Sequence, residues 1–187
     1  MELGMDYNQE KLIIEKNQIK LTSGEEVMMD WEYPIMKKHA EICASGGGII
    51  LEVGFGMGIS ADYIQELNPT KHVIVESHEQ IIERLLDWSK DKPNVEIIKG
   101  DWFYKIDEIS KYLYDGIFFD THRDKKRMKF KQLVADNYMK IGGIFTWFEP
   151  TGANTFNCPI QQEKVIVNPV DCGYFSSSEA YCSYIKY

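Results

Sequence analysis

The chain has 187 residues, 44% of them hydrophobic and 13% aromatic, which is enough to bury a sizeable core and too many for a disordered segment. Its 21 basic and 29 acidic side chains leave a net charge of −8, which argues against a nucleic-acid backbone as the main partner. No apolar run approaches the ~20 residues that cross a bilayer, and the start, MELGMDYNQEKLII, has neither the basic head nor the apolar run of a secretion signal.

Residues 1–24 are polar and weakly patterned, with a short hairpin expected around Lys16-Asn17. From Glu25 to Ala44 the apolar residues Val27, Met28, Trp31, Ile35, Met36 and Ile42 recur at spacings of 3 and 4, which predicts a helix ended by Ser45-Gly46-Gly47-Gly48. Strands are expected at Ile49 to Val53, His72 to Glu76, Val95 to Lys99, Tyr114 to Phe119 and Ile144 to Phe148. Helices are expected between them at Ile59 to Leu67, Glu79 to Ser89 and Lys125 to Met139, with a short mixed segment from Trp102 to Tyr112. Lys164 to Val167 and Ala180 to Tyr187 read as two closing strands without a helix between them. Strands apolar on both faces and alternating with helices predict an α/β fold: a mostly parallel sheet, helices on both faces and an antiparallel edge hairpin. Such sheets bind ligands at the carboxyl ends of their strands. Cys43, Cys158, Cys172 and Cys182 form no CxxC pair, so the expectation is reduced thiols in a cytoplasmic protein with no metal site.

The sharpest local signal is Leu51-Glu52-Val53-Gly54-Phe55-Gly56-Met57-Gly58. Glycines let a chain turn tightly from strand to helix and let a ligand approach the backbone. The spacing is not that of a dinucleotide fingerprint, because position 59 is Ile, and no Lys-Ser or Lys-Thr follows as a phosphate loop requires. E-x-G-x-G-x-G resembles the cofactor loop of class I methyltransferases that use S-adenosylmethionine; a plain βα turn is the structural alternative. Glu76, 18 residues after Gly58 at the end of the next strand, has the geometry to accept both ribose hydroxyls of a nucleoside. Asp101 can accept from an adenine amino group and Trp102 can pack on its ring, although Asp also caps helices and Trp is commonly core. Asp120 falls at the end of the fourth strand, where a cofactor's reactive end lies in this fold, with a cap or loop role as the alternative. Pattern alone favours Glu32 as a solvated helix carboxylate.

Taken together, VMMDWEYPIM, LEVGFGMGIS, VIVES, KGDW, YDGIFFDT and PVDCGYF, in order from about Val27 to the end of the chain, resemble the guanidinoacetate N-methyltransferase and arginine delta-N-methyltransferase group. The VM-x-x-WE-x-P-x-M element carries the likeness, since generic methyltransferases lack it. The resemblance implies a Rossmann-like class I methyltransferase domain over residues 25–187, with residues 1–24 closing over the site as a lid. It implies that S-adenosylmethionine is held by Met28, Met36, Gly54, Phe55, Gly56, Met57, Gly58, Ile59, Ser60, Glu76, Ser77, His78, Asp101, Trp102 and Asp120. It also implies that Glu32 and Asp120 grip a guanidino group, Asp120 taking its proton.

Three departures from the family pattern bear on the substrate. Glu149, Pro150 and Thr151 fall where the family offers backbone N–H groups to a substrate carboxylate; Pro150 has no N–H and Glu149 adds a negative charge. The stretch from Gly152 to Lys164 is too short for the helix expected before the sixth strand, and the loop after Asp120 is shortened. The expected activity is therefore N-methylation of a small guanidino or amino compound, with neither nucleic acid nor membrane as partner. Glu32, Asp120 and Glu149 are expected to converge on one cation-seeking pocket. The alternatives are methylation of free or protein arginine, and a catalytically inactive S-adenosylmethionine-binding subunit. The basic run RDKKRMKFK at 123–131 reads as a solvated face.

Overall fold

The computed structural model describes residues 7–170 and 172–187. Three short strands, β1 (Leu12–Ile14), β2 (Gln18–Leu21) and β3 (Glu26–Met29), form a small antiparallel sheet in that order. The β1–β2 turn falls at the Lys16-Asn17 hairpin read from sequence. Of the expected lid, residues 1–6 lie outside the described residues; the rest begins with a 3-10 turn, Tyr7–Gln9.

The helix expected from Glu25 is shorter. Residues 26–29 are β3, Asp30–Glu32 is a 3-10 turn, and α1 spans Tyr33–Ala44. Pro34 explains the boundary. It lies in the first turn of α1, where its missing N–H costs nothing, whereas inside a longer helix it would break a hydrogen bond and clash with the preceding turn. Glu32 is therefore not a solvated helix carboxylate but a turn residue with 2% of its surface exposed.

The remaining elements are β4 (Ile49–Val53), α2 (Ile59–Glu66), β5 (Lys71–Glu76), α3 (Glu79–Trp88), β6 (Val95–Lys99), α4 (Ile106–Ile109) and β7 (Tyr114–Phe119). Then follow α5 (Arg127–Phe130), a π-helical turn (Lys131–Ala135), α6 (Asp136–Tyr138), β8 (Met139–Trp147), β9 (Gln161–Ile166) and β10 (Glu179–Lys186). The sheet order is β6-β5-β4-β7-β8-β10-β9. β4 to β8 are parallel, and β10 runs antiparallel to both β8 and β9, the expected edge hairpin. β8 starts earlier than expected: Gly142-Gly143 lies inside the strand, with Gly142 at φ +85°. Residues 148–160 contain no helix.

Strand alternation divides the core in two. Ile50, Ile74 and Phe118 pack with α1, α2 and α3. Leu51, Val53, Val73, Val75, Ile117 and Phe119 pack on the opposite face with Phe130, Val134 and Trp102. The end of β7 is gripped from both faces: Phe118 stacks on His39 at 4.8 Å, and Phe119 meets Phe130 at 4.4 Å. Truncating a buried Phe here costs about 3–5 kcal/mol, so Asp120 projects from a rigid strand end.

Candidate active site

A cavity of about 1000 Å³ opens over the carboxyl ends of β4, β5, β6 and β7, roofed by residues from Tyr7–Asn8, the start of β3 and the 121–126 loop. Its size is at the upper end for ligand pockets, ~300–1,000 Å³, and suits two ligands side by side.

The loop after β4 is shaped by close approach. At Gly54, φ is +94° and a Cβ would lie 1.7 Å from the carbonyl oxygen of Asp120. At Gly56 a Cβ would meet Met28 Sδ, whose sulfur already accepts from Met57 N at 3.2 Å. Beneath the loop, the fully buried Glu52 accepts from Ser60 Oγ and faces His72 Nε2 at 3.0 Å, tying the start of α2 to β4 and β5. Above it, the Glu76 carboxylate takes Phe55 N at 2.9 Å, Ser77 N at 2.7 Å and His78 N at 2.8 Å. These three amides fix the carboxylate at the cavity wall with lone pairs left to accept from a ligand's hydroxyls.

The two carboxylates expected to grip the acceptor, Glu32 and Asp120, line the same cavity. Glu32 Oε1 accepts from Met29 N at 2.8 Å and from the Tyr174 hydroxyl at 2.5 Å. Burial, and then the charge of Asp120, push its carboxyl up to about 8, against the pull of those two hydrogen bonds. Burial also pushes Asp120 up to about 7; Arg127 opposes the shift, and Glu52 and Glu76 add to it. Each carboxyl therefore keeps its proton to a higher pH than an ordinary carboxylate does, and a cation between them would reverse that.

The cavity also gathers Met28, Gly54, Phe55, Gly56, Ser60, Ser77, Asp101 and Trp102. Asp101 caps the 3-10 turn Trp102–Tyr104 through Phe103 N at 2.9 Å and pairs with Lys126 at 2.7 Å. Trp102, 2% exposed, rests edge-on against Phe130 at 5.0 Å. Other expected residues lie elsewhere. Met36 is on the buried face of α1, in the core. Met57, Gly58 and Ile59, which lead into α2, are not part of the cavity lining, and His78 caps α3 through Gln80 N and holds the Glu10 carbonyl at 2.8 Å. Glu149 does not converge with Glu32 and Asp120: it pairs with Arg127 at 3.3 Å and accepts from Thr151 Oγ1 at 2.7 Å. The Pro150 carbonyl accepts from Tyr181 N, inside the sheet edge. At the end of β8, Phe148 lines the cavity and Trp147 is core.

Sequence reasoning missed Tyr7, Asn8, Arg123 and Tyr174. Tyr7 sits between His78 (5.1 Å) and His122 (5.0 Å), and Asn8 Oδ1 accepts from Ser77 Oγ at 2.8 Å. Arg123 binds Glu10 at 2.7 Å and both oxygens of Glu25, clasping the amino-terminal segment to the loop after β7. Much of the 123–131 basic run is thus paired within the fold, through Arg123, Lys126, Arg127 and Lys131. Tyr174 lay in the quoted PVDCGYF segment without an assigned role.

Residues 6–157 match the family model described as guanidinoacetate N-methyltransferase. The chain belongs to that family. It is one of class I methyltransferases, whose methyl donor is S-adenosylmethionine. Relatives of this family member include protein arginine N-methyltransferase 2 of Candida glabrata, 32% identical with 87% of this chain and 40% of the relative covered. The protein of the same name from Yarrowia lipolytica is 34% identical over 82% of this chain and 35% of its own length. The chain thus spans about two fifths of the length of the curated relatives it matches. Among solved structures, spermidine synthase of Thermotoga maritima superposes with TM-score 0.62 at 13% identity, covering 90% of this chain and 64% of its own. Precorrin-6y C5,15-methyltransferase of Geobacter metallireducens gives 0.59 at 12%, covering 84% and 88%. These likenesses show the Rossmann-like fold. The lining fits the family's cofactor: a fixed Glu76 carboxylate able to accept from ribose hydroxyls, Trp102 able to pack on a ring, and the glycine loop between them in one cavity.

Proposed function

We propose that the chain transfers a methyl group from S-adenosylmethionine to a guanidino nitrogen of arginine within a protein. The observation that carries this reading is the pair Glu32 and Asp120, two buried carboxyls whose proton affinity is raised, Glu32 partly by the charge of Asp120, in one cavity with the glycine loop. A guanidinium between them would hold both ionised and be oriented by charge-assisted bonds. The names of the relatives favour arginine as acceptor over a small guanidine. The pairing of Glu149 with Arg127 supports this as well, since that cation is already engaged and offers a substrate carboxylate little.

Bound here, S-adenosylmethionine supplies an activated methyl group whose sulfur leaves as a neutral thioether. The chain's own residues do the rest. Glu32, oriented by Met29 N and the Tyr174 hydroxyl, fixes the guanidino plane for in-line attack. Asp120 accepts the proton that the nitrogen must lose as the C–N bond forms, then releases it to solvent. Tyr7 and the Arg123 clasp cover the cavity and limit water.

The family description supports a second reading, a small guanidine such as guanidinoacetate. Transfer of labelled methyl from S-adenosylmethionine to arginine-containing proteins and to small guanidines tests both. Label in protein supports the first reading; label in small guanidines alone replaces it with the second.

A further inference from the structure

We propose that a second, shallower groove, with Thr151 on one wall and residues 172–177 on the other, seats the main chain of a peptide whose arginine reaches Glu32. The inference rests on the arginine reading above and adds where the rest of the acceptor lies. The groove and the main cavity share Gly173 and Tyr174, so they adjoin. Tyr174 bridges the two: it is part of the groove lining, and its hydroxyl donates to Glu32 Oε1 at 2.5 Å. Tyrosine and arginine side chains reach about equally far. An arginine laid along Tyr174 with its Cα in the groove would therefore bring its guanidinium to Glu32.

The groove's chemistry suits neutral amides. Among the described residues its lining carries no charged side chain, and its polar groups are hydroxyls, the Cys172 thiol and main chain. A free amino acid would place an ammonium and a carboxylate there without a partner, whereas a peptide unit would not. At about 360 Å³ the groove has room for a few residues of extended chain. Its wall is fixed to β3, through Glu26, and to the turn that carries Glu32, through Trp31. Gly173 N donates to Glu26 Oε2 at 2.8 Å, and Phe175 stacks on Trp31 with rings 5.4 Å apart and 6° from parallel. A rigid wall beside a rigid carboxylate is what a positioned side chain requires.

The test compares two acceptors that share the guanidino stem: a nine-residue peptide with one central arginine, and n-butylguanidine. The variant is Ser176→Trp, which places bulk at an exposed groove position. Thr151→Trp fills the groove from the opposite wall, and unchanged S-adenosylmethionine affinity shows that each variant is folded. Each variant is expected to lower the ratio of kcat/KM for the peptide to that for n-butylguanidine by about tenfold or more. An unchanged ratio, with the peptide still methylated, overturns the groove and leaves the arginine reading standing. A wild-type protein that methylates no arginine peptide overturns that reading and the groove with it.

Discussion

The Tyr174 hydroxyl donates a 2.5 Å hydrogen bond to Glu32 Oε1, joining residues 142 positions apart. One belongs to a turn ahead of α1 and the other to the loop ahead of β10, so this wall of the proposed acceptor site forms only when those two segments meet. The bond also opposes the upward shift that burial imposes on Glu32. Tyr174→Phe removes that opposition. The acidic limb of the kcat/KM profile is expected to move to higher pH and kcat to fall about tenfold, with S-adenosylmethionine affinity unchanged. A pH–rate series on wild type and variant checks this; superimposable limbs would separate Tyr174 from Glu32.

Asp120→Asn keeps the shape of the side chain and removes the proton acceptor. The expected loss is about 10²–10⁴-fold in kcat, because that is the usual range for a general base. Titration with S-adenosylmethionine should give nearly wild-type affinity. A loss of affinity that accounts for the whole rate loss would assign Asp120 to cofactor binding alone.

The raised carboxyls make the ligand-free protein sensitive to alkali. Both Glu32, at about 8, and Asp120, at about 7, lie above the ordinary carboxylate range. A group whose folded pKa is raised contributes stability that is full below its unfolded pKa, about 4, and is lost as pH rises through the folded value. Stability should thus decline between about pH 4 and 8 through these groups. Glu32→Gln removes a large part of that decline. Its melting temperature at pH 8 is expected to exceed wild type, by about 2–4 °C for each kcal/mol recovered, while methyl transfer is lost. Calorimetric scans at pH 6 and 8 test the sign: a variant less stable than wild type at pH 8 contradicts the assignment.

Arg123 closes the roof through Glu10 and Glu25, and its contacts hold the Glu25 carboxyl below the usual range. The clasp is exposed, so it is worth about 1 kcal/mol and is screened by salt. Arg123→Ala is expected to speed amide exchange in residues 7–14 and to weaken S-adenosylmethionine binding by about fivefold. The difference from wild type should shrink in high salt. Unchanged exchange would mean that the 3-10 turn over the cavity is held by Tyr7 and Asn8 alone.

Much of this was legible in the sequence. Strands buried on both faces announce themselves as β-rich apolar runs, and β4, β6 and β7 fall where the pattern put them. The glycine loop, Glu76 and Asp120 were readable because the fold places ligands at strand ends. β3 was not, since Val27, Met28 and Trp31 fit a helical period; only Pro34 marks the true start of α1. Nor was the state of Glu32 and Glu149. What decides each is a partner distant in sequence, Tyr174 for one and Arg127 for the other. Periodicity registers spacing along the chain, and such pairings have none.

The central claim is that Glu32 and Asp120 hold a guanidino group for methyl transfer. Its most direct test is tandem mass spectrometry of an arginine peptide incubated with S-adenosylmethionine and either wild-type protein or Asp120→Asn. The account predicts one added methyl on a guanidino nitrogen of arginine with wild type, and almost none with the variant. Methylation at lysine or the amino terminus, or equal methylation of arginine by both proteins, would contradict it.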